Sequence, residues 1–222
     1  MGSAGRRIGS KLKHNMEANM QIGDKITFSE YEWRVLDIQC DSALIITEEM
    51  TELRRYHDVY KDTTWADCEL RKYLNSEFYD KFAAADKSRI IPVINKNPDN
   101  PWYGTNGGEN TQDNIFILSL EEAVCKYFGN SNAKLCDRGT NQRYWFQRKD
   151  ENNIKRRAVF EGCGWWWWLR TPGRLNVKAV YVHGDGNIDI QGNNILKCNI
   201  NSCFHPNGDV RGGVRPALWI RL

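Results

Sequence analysis

Apolar and polar residues alternate in the first patterned stretch of the chain, and this predicts a β-hairpin. Ile22–Phe28 alternates, and Tyr31–Ile38 alternates again after a short turn at Ser29 and Glu30. A period of two is typical of strands with one buried face. The apolar run Ala43–Thr47 follows and predicts a buried third strand.

A helical pattern follows the predicted strands. Apolar residues recur at three- and four-residue spacing over Trp65–Phe78. Thr63 and Thr64 precede this stretch, and their hydroxyls can accept hydrogen bonds from free N–H groups at a helix start. We therefore expect an amphipathic helix that begins near these threonines.

A second helix is predicted further along the chain. The short apolar run Ile115–Leu118 indicates a strand. Ser119 and Glu122 then have the spacing of a capping box, in which each side chain binds the backbone N–H of the other residue. The pattern predicts a helix through Phe128 that ends at Gly129.

From Trp165 onward the pattern changes to short β segments separated by glycine-rich turns. Before them, residues 95–108 are dense in Pro, Gly and Asn and predict a long irregular loop. The β segments are Trp165–Leu169, Ala179–Val182, Asn187–Ile190 and Gly213–Ile220. Helices early and strands late favour an α+β fold with an antiparallel sheet over a parallel α/β fold.

Composition and charge indicate a folded chain with no strong electrostatic preference. Of 222 residues, 41% are hydrophobic and 27% charged, and the net charge of +3 is spread over interleaved acids and bases. We expect no nucleic-acid partner and no membrane insertion.

Without an internal linker, residues 21–222 are predicted to be one domain. Residues 1–20 are predicted to be a flexible leader or tag without a signal-peptide core, and Lys149–Arg157 a solvated loop.

Candidate chemistry is sparse. The seven cysteines form no C-x-x-C pair, and no histidine stands at metal-ligand spacing, so we expect no metal centre and no cofactor. Cys198 and Cys203 either close a short disulfide loop or remain free thiols. Asp113, with the loop 95–108, is a conceivable calcium site because hard cations take carboxylate and carbonyl oxygens. Only four histidines are present, and no Ser/His/Asp constellation recurs, so the chain is not expected to be an enzyme.

Several motifs in order resemble one family. Trp165–Gly173 reads W-W-W-W-L-R-T-P-G, and Gly213–Trp219 reads G-V-R-P-A-L-W. With Tyr31–Leu36, Thr64–Asn75 and Asn97–Tyr103, they are similar to a C-type-lectin-fold family of bacterial and phage proteins. The resemblance spans roughly residues 22–222. It implies a C-type-lectin-like fold of the formylglycine-generating-enzyme type, with an antiparallel sheet, two main helices and a loop-rich C-terminal β unit. The location stays open: without a visible signal peptide we expect the cytoplasm or a phage particle, with surface display by another component as an alternative.

The four consecutive tryptophans cannot all face the same way. Successive side chains of a strand point to opposite faces. At least one or two of the indoles of Trp165–Trp168 are therefore expected to pack on the second face or to remain accessible beside a binding surface.

Some members of this family resemble the variable proteins of diversity-generating retroelements, in which a reverse transcriptase rewrites adenines between the two signatures. Here that segment is Arg174–Gly212, and it contains no Glu, Met or Trp, which adenine changes in an Asn codon cannot produce. Lys178, Gln191 and Lys197 do not fit an Asn-codon origin.

The resemblance implies binding of an unknown protein or glycan. The predicted ligand-binding residues are Trp166, Trp168, Arg174, Asn176, Lys178, His183, Asp185, Asp189, Gln191, Asn193, Asn194, Lys197, Asn199 and His205.

Two alternatives stay open. The same fold family includes formylglycine-generating oxidases, which use a cysteine pair that Cys198 and Cys203 would supply. A lectin-like carbohydrate binder without diversification is the other, although the sugar-coordinating motifs of calcium-dependent lectins are absent.

Overall fold

The computed structural model describes residues 20–129, 151–196, 206 and 209–222. Apart from Met20, the predicted leader lies outside this part of the chain. The strands are β1 (Lys25–Phe28), β2 (Tyr31–Gln39), β3 (Ser42–Thr47), β4 (Glu52–Arg54), β5 (Ile90–Ile91), β6 (Val93–Asn95), β7 (Thr111–Asp113), β8 (Ala158–Phe160), β9 (Cys163–Trp165), β10 (Trp167–Pro172), β11 (Lys178–Val182), β12 (Ile188–Asn194), β13 (Gly212–Val214) and β14 (Ala217–Arg221).

The first sheet has the strand order β1-β2-β3-β14-β5 and is antiparallel throughout. The predicted hairpin and third strand are confirmed. Ser29 turns the hairpin with a positive φ of 55°. The last strand, β14, pairs along the whole of β3, so the two ends of the described chain meet in one sheet.

The second sheet has the order β12-β11-β10-β13-β4 and includes one parallel pair, β10 with β13. Two small antiparallel ribbons, β6–β7 and β8–β9, complete the strand pairings of the described residues. The fold is therefore α+β with mostly antiparallel sheets, as the sequence predicted. The predicted strand Gly213–Ile220 is interrupted at Arg215 and Pro216, and its two halves lie in different sheets.

The helices are short. Helix α1 (Glu69–Tyr73) continues into a π-helical turn (Leu74–Phe78), α2 spans Ala84–Lys87, a second π-helical turn spans Glu122–Lys126, and α3 spans Asn153–Arg156. The predicted start of α1 at Thr63 and Thr64 was wrong. Cys68 caps the helix instead, because its sulfur accepts a hydrogen bond from the Arg71 N–H.

The predicted capping box is confirmed. The Ser119 N–H donates to Glu122 Oε2 over 2.8 Å, and the Glu122 N–H donates to Ser119 Oγ over 3.2 Å. The predicted strand Ile115–Leu118 is buried but forms only a single bridge, between Phe116 and Ala217. Its neighbouring backbone groups instead bind side and main chains elsewhere, such as the Asn75 side chain and the Arg170 N–H.

All four consecutive tryptophans are buried, which resolves the expectation in favour of packing on both faces. The backbone carbonyls of Arg211, Arg156 and Arg54 accept hydrogen bonds from the indole N–H groups of Trp165, Trp167 and Trp168 respectively. The four indoles therefore form part of the hydrophobic core that packs against the second sheet.

The interpretation of Lys149–Arg157 as a solvated loop is corrected for its described part. Arg156 lies in α3 and is completely buried, with its guanidinium donating to the Gly186 carbonyl and the Asn153 side chain. This segment therefore buttresses the turn between β11 and β12.

Candidate functional site

The predicted ligand-binding residues divide between two ends of the second sheet. Arg174 and Asn176 lie in the loop before β11, whereas His183 and Asp185 lie in the turn after it. Because β11 has five residues and a strand rises about 3.4 Å per residue, the two groups stand at opposite ends of the strand. Lys178 and Asn194 face each other near the first end. The structure does not bring all these residues into one surface.

The β11–β12 turn is a compact, hydrogen-bonded unit. His183 Nδ1 lies 3.1 Å from Asp185 Oδ1, which also accepts from the Asn187 N–H. Burial would raise the pKa of Asp185, but these hydrogen bonds together hold it below the ordinary value. Hydrogen bonding within the turn therefore accounts for the positions of Asp185 and His183.

The opposite end is a loop cluster that is fixed by long-range hydrogen bonds. The Asn176 side chain donates to the Asn106 carbonyl over 2.9 Å, and the Thr105 hydroxyl donates to the Arg174 carbonyl over 2.9 Å. The Thr63 N–H donates to the Asn176 carbonyl over 3.1 Å. Two separate stretches of chain, at Thr63 and at Thr105 and Asn106, therefore hold this loop in place.

Exposed apolar side chains lie on this loop and on the stretch that leads to Thr63. Val59, Tyr60 and Leu175 are 58%, 59% and 56% exposed, and they are half of the six large apolar side chains exposed among the described residues. Val59 and Tyr60 lie on a loop between His57, whose N–H donates to the Ile195 carbonyl just after β12, and Thr63, whose N–H donates to the Asn176 carbonyl just before β11.

We call this surface the loop corner. It consists of Val59, Tyr60, Tyr103, Arg174, Leu175 and Asn176. The Arg174 guanidinium lies 5.8 Å from the centre of the Tyr103 ring. The sequence patterns missed Val59, Tyr60 and Tyr103 because no periodicity marks them. The signal that could have identified them is the presence of apolar residues inside polar, turn-rich stretches.

Four predicted site residues are corrected, because they are buried and do not face solvent. Asp189 is 4% and Asn193 7% exposed, and Trp166 and Trp168 are also buried. The rings of Trp166 and Trp168 meet edge to face at 4.6 Å, and Trp166 contacts the Tyr181 ring at 5.1 Å. These residues form an interior layer beneath the sheet surface.

Asp189 is the one acid in this interior layer. It lies opposite Tyr181, which donates a hydrogen bond to it, and its Oδ1 accepts from the Gly192 N–H. Burial raises the pKa of Asp189 to about 6, against the opposing effect of these hydrogen bonds. Gln191 and Asn194 are half-buried nearby, whereas Lys197, Asn199 and His205 lie outside the described residues, as do Cys198 and Cys203.

The arginine of the first signature is structural. Arg170 is buried and donates to both carboxylate oxygens of Glu122, to the Asn97 side chain and to the Ile117 carbonyl. Burial would raise the pKa of Glu122, but the Arg170 charge holds it below its ordinary value. Arg170 thus joins strand β10 to the Ser119–Glu122 capping box at the start of the π-helical turn Glu122–Lys126.

The asparagine-rich loop 95–108 is also tied to the sheet. The Asn100 side chain donates to the carbonyls of Pro172 in β10 and Ile190 in β12, and accepts from the Trp102 N–H. This contact gives the Asn of that motif a structural role, since one amide binds the carbonyls of two strands.

Asp113 accepts hydrogen bonds from four donors. Its Oδ1 accepts from Arg71 at 2.6 Å, and its Oδ2 accepts from the Trp65 indole at 3.0 Å, Asn95 at 2.9 Å and the Thr111 hydroxyl at 2.7 Å. A calcium ion on this carboxylate would compete with these donors for the carboxylate oxygens. No cluster of three potential metal ligands occurs within the described ranges.

Of the thiols in the described part of the chain, Cys68 is unsuited to nucleophilic chemistry. It is buried, and burial raises its pKa to about 12, so the thiolate is scarce at neutral pH. Its sulfur serves as the cap of α1.

Comparisons with known proteins place the chain in a family without assigning it a function. No helix in the described ranges has the length and apolarity needed to span a membrane. No curated protein and no solved structure matches the chain. Residues 40–222, from the turn after β2 to the last residue, match the domain of unknown function DUF6273. The chain therefore belongs to the DUF6273 family.

Proposed function

We propose that this protein is a non-catalytic ligand-binding module with a C-type-lectin-like fold, which recognises its ligand through the loop corner. The segment Arg174–Gly212 would be the part in which specificity changes, as in the variable proteins of diversity-generating retroelements. The two signature motifs that flank the segment in sequence support this proposal.

The observation that carries the proposal is the exposure of Val59, Tyr60 and Leu175 on a backbone that long-range hydrogen bonds fix. Exposed apolar and aromatic side chains grouped beside a cation have the composition of binding surfaces. A surface whose backbone is already ordered loses little conformational entropy when it binds. Loops held by a rigid scaffold are also the usual location of recognition residues.

The burial pattern refines which positions are free to vary. Arg174, Leu175 and Asp185 are exposed, and Asn176, Lys178, Gln191 and Asn194 are half-buried. Exposed substitutions usually change stability by no more than about 0.5 kcal/mol. Asp189 and Asn193, in contrast, belong to the interior and are expected to resist free substitution.

A display library tests the binding role. Arg174, Leu175 and Asn176 are randomised together on the displayed protein and selected against lysozyme, serum albumin and yeast mannan. We expect folded variants that bind at least one probe and lose binding when Tyr60 is changed to Ala. A matched library at Tyr181, Asp189 and Asn193 should yield mostly unfolded protein. If the loop library yields folded protein and no binder to any probe, the loop corner is not an adaptable binding surface.

Diversification has a separate test at the nucleotide level. A diversifying element requires a near-copy of the coding segment Arg174–Leu222 that differs chiefly at adenines, next to a reverse transcriptase gene. We expect the differing codons to fall at exposed or half-buried positions such as Asn176 and Asn194. Sequencing of the neighbouring DNA decides the matter, and a locus without the near-copy would leave a binder of fixed specificity.

A further inference from the structure

Arg215, in the second signature, is a completely buried cation between β13 and β14. Its Nε donates to the Thr47 carbonyl over 2.8 Å, and its Nη2 donates to the Glu48 carbonyl over 3.3 Å. The guanidinium carbon lies 5.1 Å from the centre of the Trp167 ring and 5.5 Å from that of Phe128. These partners are all electrically neutral.

Positive charge exceeds negative charge around Arg215. Burial, followed by the charge of Arg34, lowers the pKa of Arg215 to about 9, so the side chain is still protonated at neutral pH. Glu48 is the acid that acts on it, but the Glu48 carboxylate already accepts two hydrogen bonds from Arg34 and lies 3.3 Å from Lys25. Glu32 also lies 3.4 Å from Lys25, so two carboxylates stand against three cations. One positive charge remains in excess, and a buried charge without a counter-charge is strongly unfavourable.

Two buried polar atoms beside this charge have no hydrogen-bond partner among the described residues. They are Arg215 Nη1 and the hydroxyl oxygen of Thr47, which is also buried. The two residues are direct neighbours, because the Thr47 carbonyl accepts from Arg215 Nε and the Thr47 N–H donates to the Pro216 carbonyl. A guanidinium N–H and a hydroxyl are both donors, and one acceptor can take both.

We propose that Arg215 and Thr47 bind a small inorganic anion, with chloride as the abundant occupant. An anion supplies both the missing acceptor and the missing negative charge. A water molecule would supply only the acceptor and would leave the charge excess in place. The aromatic walls formed by Trp167 and Phe128 disfavour a large hydrated anion. The site lies in the framework and its role is to stabilise the fold, so it is independent of the loop corner.

Unfolding in different salts is the solution test. Chloride is raised at constant ionic strength by replacing gluconate, and the midpoint of thermal unfolding is recorded. We expect a saturable increase, because a ligand that binds only the folded state stabilises it. Thr47→Val keeps the shape and removes one donor, and should weaken the apparent chloride affinity by about tenfold. Thr27→Val makes the same change at an exposed position of β1 and should leave the chloride dependence unaltered.

Crystals grown in bromide give a direct readout that needs no variant. Bromide replaces chloride and scatters anomalously, so we expect an anomalous peak within hydrogen-bond distance of Arg215 Nη1. The proposal is overturned if that position holds no peak, or only a water, and the unfolding midpoint is the same in chloride and gluconate.

Discussion

At the scale of single residues, Asp189 links burial to a measurable pH dependence. Its folded pKa of about 6 lies above the ordinary 3.8, so folding favours the protonated form. At pH 7.5 the buried carboxylate therefore destabilises the fold, and the penalty fades as the pH falls from about 6 towards 3.8. Asp189→Asn should raise the free energy of unfolding at pH 7.5 by about 1–3 kcal/mol, and by much less at pH 4.

Urea denaturation at the two pH values measures this difference, and Asp185→Asn is the matched control. The pKa of Asp185 lies below its ordinary value, so loss of that charge should not stabilise the protein. An equal gain from both variants, or a gain at Asp189 that persists unchanged at pH 4, would contradict the burial argument.

The position of Asp189 also shows where residue patterns stop being informative. Ile188, Asp189 and Ile190 alternate apolar, polar and apolar, which predicts that Asp189 faces solvent. In the structure all three are buried, because both faces of β12 are covered. The second face of β12 is covered by distant parts of the chain, so a local sequence pattern cannot predict that this face is buried.

At the scale of elements, local chemistry was predictable and long-range contacts were not. The hairpin and the Ser119–Glu122 capping box follow from neighbouring residues alone, and both are present. Helix α1 begins after the Cys68 cap and not at Thr63 or Thr64. The Thr63 N–H instead binds the Asn176 carbonyl, more than a hundred residues away. The break in the last predicted strand lies where Arg215 turns inward towards Thr47 and Pro216 has no N–H to donate.

The loop corner belongs to the same class of unpredictable features. The sequence singled out Arg174 and Asn176 as candidates but gave no indication that the loop of Val59 and Tyr60 is joined to them through Thr63. Residues that flank their loop make main-chain hydrogen bonds to residues next to the second sheet, such as that from the His57 N–H to the Ile195 carbonyl. Main-chain bonds leave no trace in residue identity, so the grouping appears only in three dimensions.

At the scale of the whole molecule, Arg170 connects parts that are distant in sequence. It donates to the Lys96 and Ile117 carbonyls and to the side chains of Asn97 and Glu122. Arg170 therefore connects the second sheet, the loop 95–108 and the π-helical turn Glu122–Lys126. Arg170 of the first signature therefore helps to hold the framework that carries the loop corner.

A double-mutant cycle tests this role. Arg170→Met alone leaves the buried Glu122 carboxylate without its counter-charge, and should lower the free energy of unfolding by about 3–5 kcal/mol. Glu122→Gln added to it removes the stranded charge, so the double variant should lose about 1–3 kcal/mol less than the sum of the single changes. The pair Lys72 and Glu69 on the exposed face of α1, changed to Met and Gln, is the control and should couple by no more than about 0.5 kcal/mol. Urea denaturation of the four proteins of each cycle supplies the values. Strict additivity at Arg170 and Glu122 would mean that the two side chains stabilise the fold separately and that the sheet and the helix are held together by other contacts.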